Sequence, residues 1–421
     1  MITLIEAKHF RCLRYIRQPV GSFHVLVGPN ASGKSTFLDI IAFLGKLVSA
    51  GPDVAVSDRA ANFQDLVWMR ANKGFELAVE AQFPEDLRPL LRQPDFDTVR
   101  YEVALAMDNV DNQVTVSAEK LLLKVSASAD NRQTPRQRAL FPRESVAPDT
   151  IVTASRKRKT QMVVNKVRGG NDNFYSEVYQ QKGKGWAPSF KLGPRKSALG
   201  HLPADEKNFP VATWFKALLT AGVHRFVPDG SLIRKTSPPG QGWKLKPDGA
   251  NLPWALLHLQ ENHPERYLSW IAHLKTALPD LVDIETIERQ DDRHRYLLLE
   301  FKNGLKTASW LASNGTMRLL ALTLPAYLPD AGGVYLIENP ENGIHPQAIG
   351  AMFQSLSSVN DAQILLTTHS PAVLSRIEAE KAFCFAQTVR GETDIVIGAK
   401  HPALRASTGK THLEVLFSAA P

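Results

Sequence analysis

Residues 23–48 read FHVLVGPNASGKSTFLDIIAFLGKLV, and the succession of residue types in this stretch decides the fold. Phe23 to Val27 is a short, mostly apolar run of the kind that forms a strand buried on both faces. Phe37, Ile40, Ile41, Leu44, Leu47 and Val48 then recur at helical spacing, so a helix follows with one broad apolar face. Between the two lies GPNASGKS, Gly28 to Ser35, a glycine-bearing loop. Strand, loop and helix in this order open an α/β unit.

The loop satisfies G-x-x-x-x-G-K-[ST] in the structural context that motif requires. Gly28 and Gly33 let the backbone turn until successive N–H groups point inward at phosphate oxygens, and the helix N-terminus adds partial positive charge. Lys34 can reach the β- and γ-phosphates as a cation, and the Ser35 hydroxyl is a hard oxygen ligand for Mg2+. The plainer alternative is a glycine turn that only caps a helix.

A second constellation lies three hundred residues later, in GGVYLIENPENGIHP, residues 332–346. Val334 to Ile337 reads as a buried strand, and Glu338 at its C-terminal end is a carboxylate desolvated on one side and in need of a cation. Acidic residues at such junctions also serve as caps or turn formers. Around it, HRYLLLEF (294–301) reads as a strand and TMRLLALTLP (316–325) as a helix stopped by proline. A helix starts at Pro346 with Ile349, Met352, Phe353 and Leu356 on one face, and QILLTTHS (363–370) is a further strand. Alternating strands and helices imply a mainly parallel sheet whose ligands bind beyond the strand C-termini, where Glu338 and His369 both fall.

The N-terminal portion is richer in strands. MITLIEAKHF (1–10) alternates like one, as does FELAVEAQF (75–83), and YEVALAM and VTVSAEKLLL flank DNVDNQ as a hairpin. Residues 121–200 then carry sixteen Lys and Arg against five Asp and Glu, a local net of +11 in a chain whose total is +8. SRKRKT (155–160), QKGKG (181–185) and PRKS (194–197) lie there, interleaved with Phe174, Tyr175, Tyr179 and Trp186. Such a concentration suits a nucleic-acid backbone, or equally a solvated face or an acidic protein partner. DTIVTASRKRKTQMVVNKV and FYSEVYQQ around GGNDN suggest a twisted hairpin. Two cysteines, Cys12 and Cys384, support neither a disulfide framework nor a cysteine zinc site. Apolar runs stop well short of about 18 residues and no secretion signal opens the chain, so no membrane span and a cytoplasmic location are expected.

GPNASGKST, LASNGTMRLLAL, YLIENPENGIHP and LLTTHSP resemble, in order and spacing, the motifs of ABC-type ATPases of the SMC/RecF/OLD (overcoming lysogenization defect) group. The nearest resemblance is to stand-alone bacterial members often found in defence gene clusters. LIEAKHFRCLR is similar to the group's opening strand and turn, with His9 where asparagine is usual. The resemblance implies an α/β fold with a mixed, mainly parallel sheet and flanking helices, plus an N-terminal antiparallel β subdomain. It divides the chain into an N-terminal ATPase lobe (1–120), a basic insertion (121–220) and a C-terminal ATPase lobe (221–421).

It also implies ATP and Mg2+ as ligands. Gly28, Pro29, Asn30, Ala31, Ser32, Gly33, Lys34, Ser35 and Thr36 would cradle the phosphates, with Ser35 and Glu338 on the metal. Ser313 and Gly315, in the signature LASNGT, would cap the γ-phosphate of a partner subunit's nucleotide in a head-to-tail homodimer or higher oligomer. His369 would sense the γ-phosphate, and Gln64 in NFQDLVW would contact magnesium and the attacking water. Asn339 stands where many members have a glutamate, and an amide cannot accept a proton at neutral pH. Asn339, Glu341 and His369 are therefore expected around the water, with slow hydrolysis controlled by dimerisation. Only 51 residues follow Ser370, too few for the nuclease domain of full OLD proteins, so a separate effector partner is expected.

Three other functions compete. A DNA-repair ATPase of the RecF or SMC kind would call for sustained heptads, which are missing. A transporter nucleotide-binding subunit would carry SGGQ in place of SNGT, and a small-molecule kinase needs neither the signature nor the switch histidine.

Overall fold

The computed structural model describes residues 1–71, 73–108, 111–126, 138, 140–154, 160–178 and 188–405. Its strands begin with β1 (Ile2–Phe10), β2 (Leu13–Pro19), β3 (Phe23–Val27), β4 (Gly74–Gln82), β5 (Thr98–Met107) and β6 (Val114–Lys124). They continue with β7 (Thr160–Val167), β8 (Asp172–Phe174), β9 (Ser189–Phe190), β10 (Val223–Arg225), β11 (Leu281–Glu288) and β12 (Arg295–Phe301). The last are β13 (Lys306–Ala308), β14 (Gly333–Glu338), β15 (Ala362–Thr367), β16 (Ala382–Gln387) and β17 (Thr393–Ile397). The chain divides into two compact units. The first holds Met1–Gly21, Gly28–Val223 and the segment from Phe383; the second holds Ser22–Val27 and His224–Ala382.

In the first unit an eight-stranded sheet runs β2-β1-β4-β5-β6-β7-β8-β9, each neighbour antiparallel to the next. Its core is built where the helix Lys34–Ala50 buries Phe37, Ile40, Ile41, Leu44 and Leu47, all fully, as their spacing predicts. Phe10, Phe43 and Phe75 pack ring against ring with centroids 4.9–5.7 Å apart, and Phe63 stacks on Phe75 at 5.5 Å.

The same sheet carries buried charges that are paired. Arg100 on β5 meets Glu6 on β1 at 2.7 Å, Glu80 on β4 at 3.1 Å and Glu102 at 2.6 Å, while Lys124 reaches Glu80 at 2.7 Å. These side chains account for a departure from the sequence expectation. Among the described residues of DTIVTASRKRKTQMVVNKV the strand is Thr160–Val167, while Thr150, Ile151 and Thr153 spend hydrogen bonds on carboxylates and not on a ladder. Ile151 N donates to Glu76 at 2.6 Å, and Thr153 N donates to Glu102 at 2.7 Å. Of the expected second strand, FYSEVYQQ (174–181), only Phe174 among the described residues is in a strand, β8, which begins two residues earlier in GGNDN. Beyond it Ser176 turns away to hydrogen-bond with the Asn208 side chain at 2.9 Å. Arg156, Lys157, Arg158 and Lys159, Tyr179, the whole of QKGKG and Trp186 lie outside the described residues.

In the second unit β10, β14, β15 and β3 lie side by side, with β14–β15 and β15–β3 parallel. All six residues of β15 are buried, the condition for a central parallel strand. Ile349, Met352, Phe353 and Leu356 face inward from the helix Ile349–Ser357. An antiparallel sheet, β11-β12-β13, completes the unit. The α/β class with parallel motif-bearing strands and an N-terminal antiparallel sheet is therefore the observed one. No described helix is long and apolar enough to cross a membrane.

Phe75 is 2% exposed and touches three other rings. Phe75→Ala should lower unfolding free energy by about 3–5 kcal/mol, read as a shift in denaturant midpoint at unchanged slope.

Candidate nucleotide-binding site

The glycine loop belongs to the first unit and begins at the residue after β3. Gly28, Ala31 and Gly33 all have positive φ, at 149°, 60° and 102°. A Cβ on Gly28 would sit 2.3 Å from Phe385 O, and one on Gly33 would sit 2.5 Å from Thr393 Oγ1. Both glycines are thus demanded by the hairpin β16–β17 as well as by the turn. That hairpin also ties the loop down: Thr393 Oγ1 donates to Ser32 O at 3.0 Å and Gln387 Nε2 donates to Ala31 O at 2.8 Å. Neither residue was legible as a site element in the sequence, since each lies about 360 positions from its partner. Cys12 Sγ lies 3.6 Å from Thr36 Oγ1.

Lys34 is 7% exposed, and its ammonium folds back to donate to Gly28 O at 2.8 Å and Pro29 O at 2.7 Å. Burial pushes its pKa down to about 8. The helix it opens has Gly33 at its N-cap and no side-chain cap, so its dipole faces the loop. Pro29, Asn30, Ala31 and Ser35 are exposed. Gln64 lies in the same unit, in a short 3-10 helix (Phe63–Leu66) whose N-terminus Asn62 caps.

The acidic residues belong to the second unit. Parallel register pairs Glu338 with Thr367 and Thr367 with Leu26, so the C-termini of β14, β15 and β3 end level. Just past β14, Asn339 adopts φ 44° and is anchored twice to β15. Its N–H donates to Thr367 O at 3.1 Å, and its Oδ1 accepts from Thr367 Oγ1 at 3.2 Å. Glu341 Oε1 accepts from Thr368 Oγ1 at 2.7 Å and from His369 N at 3.0 Å. Glu341 and His369 are therefore brought together, while the Asn339 amide is engaged with Thr367. Glu338 Oε1 meets Arg225 Nη2 at 3.0 Å. The sequence carried no sign of that arginine.

Ser313 caps the helix Asn314–Thr323, accepting from Thr316 N at 3.0 Å. Gly315 packs so closely on the turn after β14 that a Cβ would lie 2.4 Å from Gly343 O. Gly315 therefore has a packing role within its own unit. Arg234 supports the same loop through Trp310 O and, at 3.4 Å, Asn314 Oδ1.

Three buried oxygens among the expected site residues have no hydrogen-bond partner among the described residues: Ser32 Oγ, Gln64 Oε1 and Glu341 Oε2. Unsatisfied buried oxygen is costly unless a ligand or water answers it, and hard oxygen donors suit phosphate and hydrated Mg2+. Among the described residues no cluster of three or more His, Cys, Asp or Glu could hold a metal alone, so Mg2+ would be held jointly with phosphate oxygens. The residues present fit the Mg2+–nucleotide pair.

Comparison with known proteins gives one family match. The model described as "AAA domain, putative AbiEii toxin, Type IV TA system" matches residues 23–88 and 171–375, more than half of the chain. No curated protein matches it. Among solved structures the chain is similar to an SMC head bound to the C-terminal winged-helix domain of ScpA, with TM-score 0.54 and 12% identity over 94% of this chain and 97% of that one. It is also similar to an SMC head with an extended coiled coil bound to a ScpA domain derived from Pyrococcus furiosus, with TM-score 0.51, 13% identity and coverage of 94% and 95%. At such identities the likeness establishes the fold, that of an SMC head. With the glycine loop and the acid-bearing parallel strands in place, the chain belongs to the AAA-domain family described as putative AbiEii toxin.

Proposed function

We propose that the protein is an ATP-binding and ATP-hydrolysing switch that dimerises head to tail around Mg2+–ATP and controls a separate effector. The observation that carries this reading is the buried Lys34 ammonium, turned onto the loop's own carbonyls at an uncapped helix N-terminus. A phosphate offers that ammonium a charged acceptor in place of two neutral ones, and it offers the loop N–H groups an anion.

In this reading Lys34 binds the β- and γ-phosphates within the cradle Gly28 to Thr36, and Ser35, Glu338 and Gln64 hold the hydrated metal. Bound Mg2+ neutralises charge on the phosphate oxygens. Glu341 is the carboxylate best supported for orienting the attacking water, because Oε1 is fixed by Thr368 and His369 while Oε2 is buried and free to accept. Asn339 acts by holding the turn to Thr367. Without a glutamate at 339, hydrolysis is slow. Ser313 and Gly315 address the nucleotide of a second copy, so ATP joins two subunits and hydrolysis releases them.

An effector on a separate chain, of nuclease type, fits a family whose description names a putative toxin. That SMC heads are seen with ScpA domains supports docking of a distinct protein on this fold. The basic 121–220 region would serve nucleic acid, and antiphage defence is the proposed setting.

Lys34→Ala should abolish Mg2+-dependent ATP binding in calorimetry; undiminished binding would overturn the reading. Because the free ammonium has its pKa lowered to about 8 and phosphate favours the charged form, binding takes up a proton above that pH. Affinity should thus be flat below about pH 8 and fall above it, with proton uptake visible as a buffer-dependent enthalpy. Glu341→Gln should retain nucleotide binding yet slow single-turnover hydrolysis by about a hundredfold, and an unchanged rate would remove Glu341 from its role.

A further inference from the structure

The Arg225–Glu338 pair lies where the metal acid should be free. Its backbone is fixed: β10 runs beside β14, Phe226 N donates to Leu336 O at 2.9 Å, and the rings of His224 and Phe226 pack on Tyr335 at 5.2 and 5.5 Å. Between those two anchored residues Arg225 projects the opposite way along the strand, level with the end of β14. Its head is not fixed in the same manner. The side chain is 58% exposed, against 31% for Glu338, and the pair closes through one nitrogen and one oxygen at 3.0 Å. That is a monodentate contact and not the bidentate fork that makes arginine pairs strong.

We propose that Arg225 is a resident cation for the Glu338 carboxylate, displaced when Mg2+ arrives with the nucleotide. The inference rests on Glu338 being the metal acid. A guanidinium and a divalent ion cannot share one carboxylate without strong mutual repulsion, since unit charges about 4 Å apart interact appreciably even near a protein surface. An exposed, single-contact pair is weak enough to be given up. Its effect is therefore a threshold: without nucleotide the acid is neutralised and oriented by Arg225, and metal binding must outcompete a tethered cation. Arg225 has the solvent access to swing aside with β10 unmoved.

The test is the Mg2+ dependence of binding of a fluorescent, non-hydrolysable ATP analogue. Arg225→Gln should lower the half-saturating Mg2+ concentration about threefold at low ionic strength, as expected for loss of an exposed competitor. Arg225→Lys should restore much of the wild-type requirement. In a Glu338→Gln background, Arg225→Gln should leave the Mg2+ requirement of that variant unchanged, because the charge pair no longer exists. The wild-type and Arg225→Gln values should converge at about 0.5 M KCl, where the attraction is screened. An unchanged or raised Mg2+ requirement in Arg225→Gln, or an effect that survives in Glu338→Gln, would overturn the proposal while leaving nucleotide binding intact. Failure of the wild-type protein to bind the analogue at any Mg2+ concentration would instead overturn the nucleotide reading on which it rests.

Discussion

Parallel pairing of β14 and β3 on either side of β15 is the constraint from which the site chemistry follows. Side chains alternate along a strand, so a slip of one residue would turn Glu338 to the other face and move Thr367 away from Asn339. The register is held by burial: every residue of β15 is inaccessible, and so are Val25, Leu26 and Val27 of β3. The apolar sequence of these strands thus serves the polar residues just beyond their ends. Thr368 N reaches Leu26 O at 3.3 Å, continuing the pairing one residue past β15, and Glu341 then closes on Thr368 and His369.

The glycine loop depends on a different contact. Phe385 O stands against Gly28 and Thr393 Oγ1 against Gly33, so any side chain at either glycine would collide with the hairpin β16–β17. The loop is consequently shaped from two directions. Its own positive-φ residues allow the turn, and the hairpin's Thr393 and Gln387 select it by hydrogen bonds to Ser32 and Ala31. An anion-binding loop held in this way loses little entropy on binding, the usual advantage of preorganisation.

The helix Asn314–Thr323 is coupled to the acid-bearing turn by the approach of Gly315 to Gly343 O. The turn is also tied to β15 through Asn339, whose left-handed backbone is tolerated because its amide and N–H are both used. That helix therefore packs backbone to backbone against the turn that carries Glu341.

The amino-acid sequence by itself determined the elements with strong periodicity or special backbone needs. The strand-loop-helix at 23–48 and the buried face Ile349, Met352, Phe353 and Leu356 follow from local rules that neighbours cannot easily override. It also placed Glu338 at the end of a buried strand, since a carboxylate ending an apolar run stands out in one dimension. What it could not reach were partners distant in the chain. Arg225 beside Glu338, Thr393 and Gln387 on the loop, and Thr367 holding the Asn339 amide are relations created by tertiary structure. The irregular path of residues 150–153 was hidden for the same reason, because Glu76 and Glu102 on other strands take hydrogen bonds that local propensity would assign to a ladder. Local pattern fixes which residues can form an element. Only tertiary structure decides which polar groups those elements bring within hydrogen-bonding distance, because that distance is set by packing between segments hundreds of residues apart.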